Sequence, residues 1–381
     1  GEITPPCSKS YAQRALAAAL LASGRTTLRG IELCRDTRSA IKVIEKLGAT
    51  VEVIDDNTLV ITGGLNPQTD RINVGESALA ARLFTPIAAL ADTPITIQGE
   101  GTLCHRPMSM MVEPLKELGV AVRDGGGRLP IEVCGPMRGG RVVVDGHMSS
   151  QFVTGLLLSL PLAERDTTIE VVGAVSTPYI DMTLETLERF GVEVMYNEGD
   201  YSQFYIEGGQ SYQPVEYTIE SDWSAAATIM VAAAIAGEVT IKNISTLSRQ
   251  ADTAICRALE RAGASLIIEE NTITVAHRKL EAFEFDATQC PDLFPALVAL
   301  AAAADGVSVI SGIGRLRGKE SDRGEVLSAE YSKLGIDIEL DYDADQMRVV
   351  GGPVTAAEVD SHDDHRIAMS LAITALRTYE K

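Results

Sequence analysis

Cations, hydroxyls and carboxylates crowd into a few short stretches of this chain, and the chemistry they suit is the handling of small anions. The densest stretch, RLRGKESDR, supplies Arg315, Arg317, Lys319, Glu320, Asp322 and Arg323. A mixed-sign run of this kind is either a solvated surface or an anion site. On the second reading Lys319 and Arg323, four residues apart, bind anions while Glu320 points elsewhere as an acid or base. Asp292, after Gln289-Cys290-Pro291, stands at the entrance of an apolar helix, where a carboxylate near bound anions can act as a general base. Near the start, PPCSKSYAQR places Lys9, Ser10 and Arg14 within one or two helical turns, with Ser10 and Arg14 on one face. Ser149, Ser150 and Gln151 also stand at a helix start. Free N–H groups there, with hydroxyls and a nearby Arg, suit phosphate or carboxylate; ordinary capping is the competing account of each.

Two other motifs carry less. SHDDHR at 361–366 sets His362 and His365 around two aspartates. No third distant ligand is evident, so His365 beside Arg366 suits an anion pocket better than a metal. Cys104 in GTLCHRP reads as a plain thiol, because a nucleophile needs a base partner and none is identifiable.

The elements that must position these residues repeat. A glycine-ended helix signature recurs every 71 or 72 residues, at Gly48, Gly119, Gly191, Gly263 and Gly335. Glycine just past a helix takes the left-handed conformation at no Cβ cost. Five in register imply copies of one supersecondary unit. Each copy opens with a polar residue (Ser10, Ser77, Ser150, Ser224 or Asp292) leading an Ala/Leu-rich helix that is apolar nearly all round and so predicted buried. A β-rich strand follows (TTLRGI, ITIQG, TTIEVVG, VTIKNI, VSVISGI), then an amphipathic helix, the glycine and an alternating strand (ATVEVI, VAVRD, VEVMY, ASLIIE, IDIEL). A sixth copy begins at DHRIAMSLAITALR, and its closing glycine is expected about 72 residues past Gly335, beyond Lys381. The expectation is a trimmed chain, since it also opens on Gly1 without a Met.

Length favours two domains, and six copies split most simply into three plus three, with a junction near Pro214 to Glu220. With 33 basic against 53 acidic residues the net charge is −20, which argues against nucleic-acid or anionic-membrane binding. A few focused cations still suffice for a small anion. Six scattered cysteines with no CxxC pair fit reduced thiols in a cytoplasmic protein. No signal peptide is visible, and the apolar helices are too short and interrupted to cross a bilayer.

The motifs SKSYAQRALAAALLASG, HRPM, SSQF, STPYIDMT, PD, KESDR and DDHRIAM, in this order, span essentially the whole chain. Together they resemble the 5-enolpyruvylshikimate-3-phosphate synthase family of enolpyruvyl transferases. The resemblance implies a two-domain inside-out α/β barrel of six βαβαββ repeats, three per domain, the last one truncated here. The N-terminal domain would be residues 8–219, and the C-terminal domain residues 1–7 plus 220–381, closing over the substrates. It implies transfer of the enolpyruvyl group of phosphoenolpyruvate to the 5-hydroxyl of shikimate 3-phosphate, a shikimate-pathway step toward chorismate and aromatic amino acids. It implies a monomer with neither cofactor nor metal. Contacts to shikimate 3-phosphate would come from Lys9, Ser10, Arg14, Ser149, Ser150, Gln151, Ser176, Tyr179, Asp292 and Lys319. Contacts to phosphoenolpyruvate would come from Lys9, Ala78, Arg106, Gln151, Arg323, His365 and Arg366. Asp292 would take the hydroxyl proton, and Glu320, with Lys9 nearby, would move the proton at the methylene carbon.

The chain departs from the family pattern in places. Where the family reads close to GNAGTAMR or GNSGTTAR, this chain reads GESALAAR at 75–82. Ala78 replaces a glycine whose backbone approaches phosphoenolpyruvate, and alanine there is associated with poor inhibition by glyphosate. Glu76 and Leu79 replace an amide and a hydroxyl. Arg315 stands where Asn is common, and the C-terminal lysine of the family lies past Lys381. Two alternatives follow: a homologue that binds shikimate 3-phosphate without turnover, and the sister transferase acting on UDP-N-acetylglucosamine. The sister family pairs Lys with Asn where Lys9-Ser10 stands here, and its loop cysteine does not match the register of Cys104.

Overall fold

The computed structural model describes residues 1–147 and 149–378. Its helices are α1 (Lys9–Leu21), α2 (Arg35–Lys46), α3 (Ala78–Ala88), α4 (Val112–Glu117), α5 (Gln151–Ser159), α6 (Thr177–Arg189), α7 (Trp223–Ala236), α8 (Ile255–Arg261), α9 (Phe294–Ala302), α10 (Arg323–Lys333) and α11 (His365–Thr374). The chain divides into two compact units: Cys7–Glu220, and Gly1–Pro6 with Ser221–Lys381.

In the Cys7–Glu220 unit three four-stranded sheets share one plan, with a parallel pair at one edge and two antiparallel pairings after it. In the first, Glu216–Thr218 runs parallel to Arg25–Arg29, with Tyr217 opposite Leu28. Arg25–Arg29 then pairs antiparallel with Thr58–Thr62, and that strand with Thr50–Asp55. The order repeats in Arg71–Asn73, Ile95–Gln98, Ile131–Cys134 and Ala121–Asp124. It repeats again in Arg141–Asp145, Thr167–Val172, Gln203–Ile206 and Met195–Tyr196. The Ala/Leu-rich helices α1, α3 and α5 are buried along almost their whole length, as apolarity on every side requires. α2 is two-faced and buries Thr37, Ala40, Val43 and Ile44 on one stripe.

The other unit holds two sheets of the same plan. One runs Glu2–Ile3, Glu238–Lys242, Thr272–Ala276, Ser265–Ile268; the other runs Glu284–Asp286, Val307–Ser311, Gln346–Val350, Asp337–Asp341. Here α7, α9 and α11 pack on one another. From Asp364 onward only α11 and the 3-10 turn Ala375–Arg377 follow among the described residues.

The five signature glycines all adopt positive φ, from 74° at Gly191 to 119° at Gly48, so each ends its helix in the region L side chains avoid. Three helix starts differ from the sequence reading. Ser8, not Ser10, caps α1 by accepting from the Tyr11 N–H; Asp222, not Ser224, caps α7 by accepting from the Ala225 N–H. Asp292 lies in the 3-10 turn Pro291–Leu293 ahead of α9. In each case a hydroxyl or carboxylate lay within two residues of the true start, and pattern alone does not choose between neighbours. The strand expected over VEVMY shrinks to Met195–Tyr196. No helix among the described residues is long and apolar enough to cross a membrane.

Candidate active site

The unit containing Ser221–Lys381 gathers its charges where three segments begin. Asp292 sits in the turn leading into α9; Lys319 and Glu320 lie in the loop after the 3-10 turn Ile313–Leu316. Arg323 is the first residue of α10, which starts there because the Asp322 side chain accepts from the Glu325 N–H. α11 starts at His365 because Asp364 accepts from the Arg366 N–H.

These starts converge on Asp292. Lys319 Nζ donates to its Oδ1 at 3.2 Å, Arg323 Nη1 to the same oxygen at 2.9 Å, and Arg366 Nη2 to Oδ2 at 3.4 Å. Burial opposes the charge on Asp292, but Lys319, Arg366 and Arg323 outweigh it and hold the carboxyl well below the usual range. Burial lowers the Lys319 ammonium, with Asp292 pulling the other way.

Arg323 is 1% exposed and faces three carboxylates: Asp292, Glu320 Oε2 at 2.6 Å from Nη2, and Asp364 Oδ2 at 2.7 Å from Nε. Burial works against its charge, and the carboxylates reverse that and raise its pKa. Two expectations from the sequence are corrected here. Glu320 does not point away from the cations; it is bonded to Arg323. Lys319 precedes α10, so it and Arg323 meet through Asp292 and not through helical spacing. His365 is half exposed, with Nδ1 4.0 Å from Asp364 Oδ1. His362 turns to Glu330, with Nε2 2.8 Å from Oε1, so the two histidines of SHDDHR meet different carboxylates.

The Cys7–Glu220 unit carries a second polar group. Arg14 is 1% exposed and donates to protein oxygens: Thr183 Oγ1 at 3.0 Å, the Ser10 carbonyl at 2.8 Å, the Tyr179 carbonyl at 2.9 Å and Thr154 Oγ1 at 3.4 Å. Burial lowers its pKa to about 10. Lys9 opens α1 and pairs with Asp36 at 3.2 Å. Ser150 precedes α5, and the Ser149 hydroxyl accepts from the Gln151 N–H at 3.2 Å. Ser176 is buried ahead of α6 with φ 55°, a left-handed conformation that costs a non-glycine residue about 1–3 kcal/mol.

Arg82 was not singled out by the sequence reading. It is the lone cation of α3, 5% exposed, donating to Gln151 Oε1 at 2.8 Å and the Pro107 carbonyl at 3.2 Å. Burial lowers its pKa to about 10, and the neighbouring Arg106 adds to this. Two buried guanidiniums side by side are costly unless an anion joins them. The available signal was an Arg inside an otherwise apolar helix. Ala78 opens the same helix and is buried, whereas Glu76 is exposed.

Comparison with known proteins follows the same residues end to end. Residues 1–381 match the family model of EPSP synthase (3-phosphoshikimate 1-carboxyvinyltransferase). The chain belongs to the EPSP synthase family. A 3-phosphoshikimate 1-carboxyvinyltransferase of Methanosarcina acetivorans is 38% identical, over 99% of this chain and 89% of the relative. One from Clostridium perfringens is 35% identical, over 100% of this chain and 90% of the relative. An EPSP synthase structure from Acinetobacter baumannii superposes with a TM-score of 0.84 at 27% identity, covering 100% of this chain and 89% of that one. The fold is therefore the two-domain inside-out α/β architecture of that family.

Proposed function

We propose that the chain transfers the enolpyruvyl group of phosphoenolpyruvate to the 5-hydroxyl of shikimate 3-phosphate, releasing phosphate. Family membership over the full length supports the reaction. The observation that carries the residue assignment is Asp292, held as a carboxylate by Lys319, Arg323 and Arg366. Asp292 takes the proton of the attacking hydroxyl as its oxygen bonds to C2 of phosphoenolpyruvate. Glu320 delivers a proton to C3, with Lys9 assisting, and a tetrahedral intermediate forms. Glu320 then takes a C3 proton back, which restores the double bond as the C2–O bond to phosphate breaks and phosphate leaves. Proton donors and acceptors fixed in place do this without the reorganisation that water would need.

Two polyanions require many cations, and the two groups of residues supply them. Lys9, Ser10, Arg14, Ser149, Ser150, Gln151, Ser176, Tyr179, Asp292 and Lys319 are assigned to shikimate 3-phosphate. Lys9, Ala78, Arg106, Gln151, Arg323, His365 and Arg366 are assigned to phosphoenolpyruvate. Arg suits the planar, two-pronged grip on carboxylate and phosphate. The reading includes a monomeric enzyme of the cytoplasm, and poor inhibition by glyphosate because of the Ala78 side chain. The deciding experiment is phosphate release from phosphoenolpyruvate with and without shikimate 3-phosphate. Release that needs both establishes the transferase. Tight shikimate 3-phosphate binding without release would make the chain a binding protein, with Glu76 and Leu79 the first residues to revert. Asp292→Asn and Glu320→Gln should each slow turnover by roughly 10²-fold or more.

A further inference from the structure

Asp252 is a carboxylate that neither the motifs nor the reaction scheme uses. It lies in the 3-10 turn Ala251–Ala254 and is 2% exposed. Its Oδ2 accepts a hydrogen bond from the hydroxyl of Ser224, on the first turn of α7, and its Oδ1 is buried without a partner. A buried carboxylate oxygen left unpaired is expensive, so its retention calls for an account. The same Ser224 hydroxyl accepts from Arg366 Nη2 at 3.2 Å, and Arg366 Nη2 also reaches Asp292 at 3.4 Å. Two turns and two helices thus form a chain: Asp252, Ser224, Arg366, Asp292.

A serine hydroxyl has one proton. Given to Asp252, it leaves only lone pairs to face Arg366. The carboxylate therefore sets the polarity of the hydroxyl and makes it a fixed acceptor for the guanidinium. Without Asp252 the hydroxyl rotates freely, and Arg366 loses an acceptor of fixed direction. We propose that Asp252 is a positioning residue for Arg366, acting through the hydroxyl of Ser224 to aim the guanidinium at phosphoenolpyruvate. This rests on the proposed function, in which Arg366 grips that substrate.

The electrostatics agree with the geometry. Burial raises the Asp252 carboxyl, Arg366 and Ser224 lower it, Asp292 and Asp222 raise it, and together they bring it up to about 7. The neighbouring Cys290 thiol is itself pushed up by burial and by Asp252. Asp252 is thus only partly ionised near neutrality, and in either form one of its oxygens accepts from Ser224, so Arg366 keeps charge for an anion while still being held in place.

The test is steady-state kinetics of the full chain, varying each substrate in turn. Asp252→Ala and Ser224→Ala should each raise KM for phosphoenolpyruvate roughly tenfold, the scale of one charge-assisted hydrogen bond. KM for shikimate 3-phosphate and kcat should stay within about threefold. The double variant should be no worse than the poorer single one, because both act on one guanidinium. Asp252→Asn, which keeps the shape and an acceptor, should recover most of the loss. The chain's one tryptophan, Trp223, adjoins Ser224, so its fluorescence reports phosphoenolpyruvate binding in the presence of shikimate 3-phosphate whether or not turnover occurs. Unchanged affinity for phosphoenolpyruvate in Asp252→Ala and Ser224→Ala overturns the inference. So does an equal loss of both substrates with no recovery in Asp252→Asn, which marks a merely structural role. A parent chain that binds phosphoenolpyruvate but releases no phosphate overturns the proposed function instead, and the fluorescence titration still decides Asp252. A parent chain that binds none overturns both.

Discussion

Three cations within 3.4 Å of one carboxylate make Asp292 a poor proton acceptor until something neutralises them. The phosphate and carboxylate groups of the proposed substrates would do this, because their negative charges would cancel the field of Lys319, Arg323 and Arg366. The sign follows: the Asp292 pKa is depressed in the free protein and rises when the anions bind. Protonated Asp292 cannot act as a base, so the acid limb of kcat should lie at higher pH than any acid limb that Asp292 gives kcat/KM. The ionisation of the phosphoenolpyruvate phosphate, near pH 6, enters kcat/KM alone and can be subtracted. An acid limb of kcat at or below that of kcat/KM would sink this account. A second residue-scale prediction concerns Ala78, buried at the start of α3. Ala78→Gly removes one methyl group where the backbone is proposed to approach phosphoenolpyruvate. It should lower the glyphosate concentration for half-inhibition on the order of tenfold, which a dose–response series measures.

At the scale of elements, the loop before α11 decides where Asp364 and Arg366 stand. His362 and Asp363 in it adopt φ 52° and 57°, a strained pair for non-glycine residues. Glu330 on α10 holds the loop: it accepts from the Asp360 N–H at 2.9 Å, lies 2.8 Å from His362 Nε2 and pairs with Lys333 at 2.7 Å. Burial raises the Glu330 pKa, but those bonds prevail and bring it from 4.5 to about 2. A depressed folded-state pKa means stability that is present above pH 4.5 and lost as pH falls toward 2. Glu330→Gln should therefore cost on the order of 2 kcal/mol at neutral pH, and the gap to the parent should close near pH 2, read by denaturant unfolding. A gap independent of pH would show that shape, not charge, holds the loop. The periodic signals were legible here: the glycine-capped helices and most of the alternating strands form where the sequence marks them, and DDHR leads into α11, whereas most of KESDR lies in the loop before α10. Partnership was not legible. Nothing in the sequence ties Asp364 to Arg323 or Arg82 to Gln151, since 41 and 69 residues separate these pairs and only the packed helices bring them together.

The whole molecule is two cores on one chain, and that has a thermodynamic consequence. Cys7–Glu220 is a continuous segment whose three sheets are completed by its own strands, the last by Glu216–Thr218 beside Arg25–Arg29. The other unit is not continuous; it takes its edge strand Glu2–Ile3 from the start of the chain, paired parallel with Thr240 and Ile241. Units with separate hydrophobic cores unfold as separate cooperative blocks unless strongly coupled. Calorimetry of the ligand-free chain should show a total enthalpy larger than the two-state value, resolvable into two transitions. The fragment 7–220 should fold alone and reproduce one of them. Deleting residues 1–3 removes the parallel pairing with Thr240 and Ile241, including the Thr240 N–H bond to the Gly1 carbonyl, and the Lys242–Glu2 pair. At about 1 kcal/mol for each hydrogen bond this should lower the other transition by a few degrees and leave the fragment's transition where it was. A single transition with matching enthalpies, or one in which the deletion shifts both parts equally, would show that the two cores melt as one.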